Sequence, residues 1–300
     1  LAPGDIKKEG TYFDLPIALA YLLANKELKL LDENEIKESL FIGELSLRGD
    51  ICKLKGVISI TELAENKKIK NIFLPRKNAE EACLIKNINI FAVNSLKEIT
   101  DHLSGIKRLK KENPINLEEI VNNDKEINDI DISDIKGQEL AKRALLIAIS
   151  GGHNIALYGP PGTGKTMLAK AARTLLPKLD YKSIIEVTKI HSISQKDDEN
   201  EKIITTPPFR SPHHTSSYVS LVGGGVNLKP GEITLSHKGI LFLDEFPEFE
   251  KRSIESLREP LEEGFISISR AKGSERFPAN FILIAALNPC PCGNLGNKDK

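Results

Sequence analysis

The sequence predicts an α/β chain in two parts: a parallel sheet with flanking helices over residues 132–300, preceded by a smaller α+β domain over residues 1–104. Three observations predict it. Apolar runs such as "GILFLDE" and "NFILIAALNP" are continuous rather than alternating, as in strands buried on both faces. Helical patterns alternate with those strands along the second part. A glycine-rich loop from Gly159 to Thr166 joins one strand to one helix.

In chain order, "DLPIALAYLLANKEL" has helical apolar spacing, and "LFIGELSLRGDICKL" reads as two strands around a Gly49-Asp50 turn. "SITELAENKK" is a short helix, and "KNIFLP" is a strand ended by Pro75. Residues 105–131 are charged, rich in asparagine and poorly periodic, which reads as a linker. After it come a helix ("GQELAKRALLIAIS"), a strand ("NIALYG"), the glycine-rich loop and a second helix ("KTMLAKAARTLL"). A long irregular section leads to the strand "GILFLDE". One helix ("KRSIESLREPLEEG"), a hairpin ("FISISRAKGSERFPA") and the strand "NFILIAALNP" follow.

Composition narrows the possibilities. In 300 residues, 42 basic side chains balance 42 acidic ones, so any contact with nucleic acid must come from a local patch. The longest apolar run, "FILIAAL", is too short to span a bilayer. No secretory signal is visible, so the cytoplasm is the expected compartment and no membrane partner is expected. Cys52 and Cys83 stand alone, which is no disulfide framework at this size. The chain begins with Leu and stops at "GNKDK", and it reads as a fragment.

Gly159, Pro160, Pro161, Gly162, Thr163, Gly164, Lys165 and Thr166 fit the G-x-x-x-x-G-K-[ST] spacing, in the strand-to-helix setting that reading requires. Glycines permit positive φ and let backbone N–H groups converge on phosphate oxygens. The following helix adds its N-terminal dipole. Lys165 is expected on the β- and γ-phosphates of ATP, and the Thr166 hydroxyl on Mg²⁺. "GILFLDEF" ends in two carboxylates at a strand's C-terminal edge, where α/β sheets bind ligands. Asp244 is expected to hold Mg²⁺ through water, and Glu245 to orient and deprotonate the attacking water. Asn288, ending "FILIAALNP", is placed to position that water or sense the γ-phosphate.

The remaining polar features are weaker. Adjacent His213 and His214 without nearby cysteine lack metal-ligand spacing. Arg210 suits pairing with phosphate or carboxylate. Arg270, Lys272 and Arg276 surround Gly273 in a basic hairpin that suits a DNA backbone. "KRLKK" at 107–111 reads as linker solvation. Cys290 and Cys292 offer two thiolates, half of a tetrahedral zinc site.

The loop, the acidic strand end and the asparagine strand, in that order and preceded by "DIKGQELAKRAL", resemble the AAA+ ATPase module. That resemblance implies that Lys136, Gly137 and Gln138 line an adenine pocket beside Ile135. "SPHHTSS" and "NPCPCG", within a stretch alike almost phrase by phrase, resemble the magnesium-chelatase-like ComM (YifB) family. The first domain is similar to the S5-type peptidase domain of Lon proteases. There Asp14 takes the serine position and Ile58 the lysine position, so the resemblance implies no proteolysis.

The family implies an ATP-hydrolysing homohexameric motor, and a branch-migration helicase on DNA that aids recombination in natural transformation. It also implies a pore loop in "SSYVSLVGGG", with a flexible Gly223–Gly225 hinge beside Tyr218 and Leu221. A further cysteine pair and structural Zn²⁺, and an arginine finger and sensor domain beyond Lys300, are implied too. The alternative is a magnesium-chelatase-type subunit or a remodelling ATPase that does not act on DNA.

Overall fold

The structure is a computed structural model. It describes residues 11–117, 120–121, 130–194, 203–225, 229–270 and 273–289, with residues 269, 270, 273 and 274 described by their backbone alone. The chain divides into two compact units, Leu1–Leu117 and Glu118–Lys300. Among the described residues no helix is long and apolar enough to cross a membrane.

The first unit is built on a parallel sheet of β1 (Ser39–Phe41), β4 (Asn71–Pro75) and β5 (Asn89–Val93), in the order β1-β4-β5. Each strand brings one phenylalanine to the same register level. Phe41, Phe73 and Phe91 stack there with centroids 4.7 and 4.9 Å apart. Helices Asp14–Ala24 and Leu96–Leu103 bury Leu15, Leu19, Ile99 and Leu103 against this layer. The first stops at Asn25, since Lys26 turns into positive φ (61°). The expected hairpin is present as β2 (Glu44–Leu45) and β3 (Ile51–Cys52), turned by Gly49 at φ 81°. Asp14 accepts a bond from the Leu45 amide at 3.3 Å, while Ile58 is fully buried in the helix Val57–Asn66.

Residues 106–117, expected to be linker, run along this unit instead. Glu112 N–H donates to Ile90 O at 2.8 Å, and Leu109 packs on the core. Arg108 pairs with Glu35 at 2.7 Å, and Arg76 with Glu112 at 2.9 Å. The charges that suggested solvated chain are partners for charges already on the unit.

The second unit holds a parallel sheet in the order β6 (Ile155–Tyr158), β13 (Ile282–Leu287), β10 (Ile240–Leu243), β7 (Phe209–Arg210). β10 shows why its sequence is apolar without interruption. Ile240 and Phe242 enter the cluster under helices Glu139–Gly151 and Lys165–Ala171, with Leu145, Leu168 and Ile284. Leu241 and Leu243 enter the opposite cluster, with Leu221, Ile233, Leu257 and Ile266. Both faces of the sheet are covered, as parallel sheets require.

Three expectations need correction here. The section read as irregular contains a 14-residue helix, Tyr181–Ser194. Its Ile184, Ile185, Val187, Thr188 and Ile190 are β-branched residues with modest helix propensity, all buried, so packing rather than local preference forms the helix. "KRSIESLREPLEEG" forms two short helices, Lys251–Glu255 and Arg258–Glu263, rather than one. Pro260 has no N–H to carry a continuous ladder across the break. The glycine triplet is no free hinge. Gly223 and Gly224 are buried and pair as β8 with Lys229–Pro230 (β9), and a Cβ on Gly223 would lie 2.6 Å from the Lys229 carbonyl. Leu221, beside that hinge in the expected pore loop, lies in the core.

Candidate functional site

β6 ends at Tyr158, beside the end of β13, and the amide of Gly159 donates to Leu287 O at 3.2 Å. The loop then doubles back through Gly162 (φ 80°) and Gly164 (φ 83°), conformations that a side chain would strain. Thr163 Oγ1 donates to Pro160 O at 2.9 Å and closes the turn. Gly164 caps the helix Lys165–Ala171 without a side chain, so the first helical N–H groups face the concave side of the loop unblocked.

Two contacts knit the loop to the neighbouring strands. Lys165 Nζ donates to Gly159 O (2.7 Å), Pro160 O (3.0 Å) and Asn288 Oδ1 (3.0 Å). Thr166 Oγ1 donates to Asp244 Oδ2 at 2.8 Å. The structure therefore brings together Lys165 with Asn288 and Thr166 with Asp244, across β6, β13 and β10. Gln138 Nε2 reaches Thr163 O at 3.3 Å; Gly137 and Gln138 both adopt positive φ (68° and 59°), and Lys136 is exposed beside them.

Glu245 is set apart from Asp244 by its backbone. It sits in the left-handed region at φ 52°, with its amide on Asp244 Oδ1 at 3.0 Å. Its Oε2 lies 2.9 Å from His214 Nδ1. That histidine was missed as a partner of Glu245 because no motif spacing links the two; only the pairing of β7 with β10 places them side by side. Arg210 proves to pair with carboxylate, holding Glu232 through two bonds of 2.6 and 2.7 Å.

A divalent cation fits the pair Thr166–Asp244. Hydroxyl and carboxylate are hard oxygen donors, and Mg²⁺ binds through few protein ligands together with water and phosphate oxygens. Among the described residues no group of three or more His, Cys, Asp or Glu forms a metal cluster. Cys290 and Cys292 lie outside the described residues, as does Lys272, and the side chain of Arg270 is likewise outside them. Arg276 is exposed on β12 (Gly273–Pro278), opposite Ser267 of β11 (Phe265–Arg270), with its guanidinium 4.6 Å from the centre of the Phe265 ring.

Two histidines, His191 half-buried and His237 buried, flank this layer. His191 Nε2 meets Leu235 O at 3.0 Å, and His237 Nδ1 accepts from the Asn280 amide at 3.1 Å. Burial pushes both below the ordinary histidine value of 6.5. Their neutral forms are therefore favoured in the folded state, and protonation favours the unfolded one. Stability from these sites is complete above about pH 6.5 and is lost as pH falls below it. Thermal melts should show Tm falling from pH 7.5 to 5, with a flatter profile for His191→Gln/His237→Gln.

Residues 131–300 match the family model described as magnesium chelatase, subunit ChlI, and residues 1–78 match a model described as subunit ChlI of Mg-chelatase. The competence protein ComM of Haemophilus influenzae is 44% identical over 294 residues, covering 98% of this chain and 57% of ComM. YifB of Escherichia coli K12 is 40% identical over 301 residues, covering 100% of this chain and 57% of YifB. The chain thus spans 57% of the length of these two relatives. The magnesium-chelatase 67 kDa subunit of Heliobacterium mobile is 27% identical over 199 residues, 57% of this chain and 30% of that protein. Among solved structures, a complex of magnesium chelatase subunits BchI and BchD matches at 23% identity, over 52% of this chain and 54% of that one, with a TM-score of 0.39.

Proposed function

The chain belongs to the ComM/YifB group of magnesium-chelatase-like AAA+ ATPases, and from that premise we propose that it binds and hydrolyses ATP as the engine of a ring motor acting on DNA. The convergence of Lys165 with Asn288 and of Thr166 with Asp244, at one edge of three adjacent strands, carries the reading. Lys165 exchanges its carbonyl partners for phosphate oxygens. The loop amides bind the phosphate chain, while Lys136, Gly137 and Gln138 border the base. Thr166 and Asp244 hold Mg²⁺, which when bound neutralises charge on the β- and γ-phosphates. Glu245 takes the proton of the attacking water, and Asn288 orients that water.

The motor is proposed to be a homohexamer that moves branched or single-stranded DNA, as a branch-migration helicase aiding recombination during natural transformation. Support comes from the family and from the name of the Haemophilus relative, a competence protein. The exposed Arg276 on a two-stranded hairpin adds a local observation. A phosphate-contacting arginine adds affinity that is independent of sequence and falls with salt. In the full-length protein, Arg276→Ala should weaken DNA binding and lower the salt slope by about 1. Unchanged affinity and slope would remove the hairpin from the DNA surface. The wider reading is tested by ATPase assays with and without forked DNA, with unwinding and porphyrin metalation in parallel. ATP turnover indifferent to DNA, without unwinding, would leave an ATPase of another kind; metal insertion would make it a chelatase subunit.

A further inference from the structure

A buried histidine of the first unit fastens a chain segment both directly and through a carboxylate. His102, in the helix Leu96–Leu103, is 2% exposed, with the rings of Phe73 and Phe91 each centred 5.3 Å from its own. The amide of Leu109 donates to its Nδ1 at 2.8 Å. That lone pair is occupied, so the ring proton lies on Nε2, 2.9 Å from Glu35 Oε1. Glu35, in the short helix Glu33–Lys37, accepts from Arg108 Nη1 on its other oxygen at 2.7 Å. Charged neighbours on the same elements are turned elsewhere. Glu98 accepts from the Asn94 amide at 2.8 Å, Glu38 pairs with Lys70 at 2.7 Å, and Glu33, Lys37 and Lys97 are exposed. The charges that bear on the ring are therefore Glu35 and, behind it, Arg108.

The segment so fastened is otherwise lightly held. In residues 105–115 only Leu109, Glu112 and Ile115 are partly buried, none is fully buried, and Ile106 is 77% exposed. Its backbone bonds to the unit, besides that of Leu109, run from Lys107 N–H to Asp101 O at 3.1 Å, Glu112 N–H to Ile90 O at 2.8 Å, and Ile115 N–H to Cys83 O at 3.3 Å. Stretches with few buried apolar contacts open at the least cost. Opening and protonation compete at His102. A proton on Nδ1 displaces the Leu109 amide, because both need the same lone pair. The imidazolium so formed still pairs with Glu35 after Arg108 has left, so no buried carboxylate is stranded.

We propose that His102 and Glu35 form a proton-operated clasp, which holds residues 106–115 on the first unit while the ring is neutral and releases them when Nδ1 is protonated. Proton and segment are alternative partners of one imidazole, so each weakens the binding of the other. The open state binds the proton more tightly, so acidification favours release and alkali restores the closed form. Histidine is the side chain suited to such a change between about pH 5 and 8. The segment leads from the first compact unit towards the second. Its release adds ten residues to the free connection, about 35 Å of reach at about 3.5 Å per residue. The clasp regulates that slack whatever chemistry the second unit performs.

The test is hydrogen–deuterium exchange of the full-length protein at pH 7.5 and 5.5, with labelling times scaled to the intrinsic amide rate at each pH. On acidification the peptide covering 105–116 should lose protection roughly three- to tenfold, within what uptake of one proton imposes over two pH units. Peptides from β4 and from the helix Val57–Asn66 should keep theirs. In His102→Asn the amide oxygen stands near the place of Nδ1 and takes no proton, so the segment should stay protected at both pH values. Glu35→Gln still accepts from the neutral ring, yet it neither holds Arg108 by charge nor supports an imidazolium. Its segment should exchange faster than native at pH 7.5 and respond less to acid. Should His102→Asn melt the first unit, Glu35→Gln decides alone. Equal protection of the native segment at the two pH values overturns the proposal. So does equal loss in β4, or a native pH response that persists in either folded variant.

Discussion

Replacing Lys165 with alanine in the full-length protein should remove ATP binding, with affinity for a fluorescent ATP analogue expected to fall at least about a hundredfold. The ammonium lies inside the loop, bonded to two loop carbonyls and to Asn288. Charge-assisted hydrogen bonds are worth about 1.5–3 kcal/mol each, and two of them lost correspond to a factor of about a hundred or more. The same substitution frees Asn288 from its bond to the loop, while the Gly159 amide on Leu287 O still ties β13 to it. Retention of the analogue within tenfold of the native affinity would show that the backbone alone holds the nucleotide, and the assignment of Lys165 would fail.

Glu245→Gln should have the opposite signature. Glutamine matches glutamate in shape, and Thr166 and Asp244, which meet each other at 2.8 Å, are untouched. Nucleotide affinity is expected to stay within about threefold of the native value. Turnover should fall by roughly 10²–10⁴, the usual contribution of a positioned base. Single-turnover phosphate release measures this directly. A kcat within tenfold of native would remove Glu245 from the chemistry, while loss of binding would mean that it supports the nucleotide rather than the water.

How much of this was legible beforehand depended on whether the signal was local. The loop from Gly159 to Thr166 was legible because backbone approach to an anion dictates glycine at fixed spacing, and the structure sets Gly162 and Gly164 at positive φ. β10 and β13 were legible because burial on both faces demands unbroken apolar runs. The helix Tyr181–Ser194 was not, since its β-branched residues favour strands locally and only the surrounding core reverses that preference. The segment 106–117 was misread because charge density signals solvation in a chain alone, yet signals pairing where Glu35 and Arg76 already wait. His214 was beyond reach of any spacing rule. Its partner lies 31 positions away, brought close by which strand neighbours which.

The double allegiance of β10 has a mechanical outcome. A strand that alternates its residues between two cores cannot slip by one position, because every side chain would then change sides. A slip of two would keep the faces but carry Asp244 about 7 Å along the sheet, at about 3.3 Å per residue, far from the hydroxyl it now meets at 2.8 Å. Four ordinary hydrocarbon side chains, Ile240 to Leu243, thus act as a ratchet with one stable notch, and the carboxylate at its end inherits a fixed address.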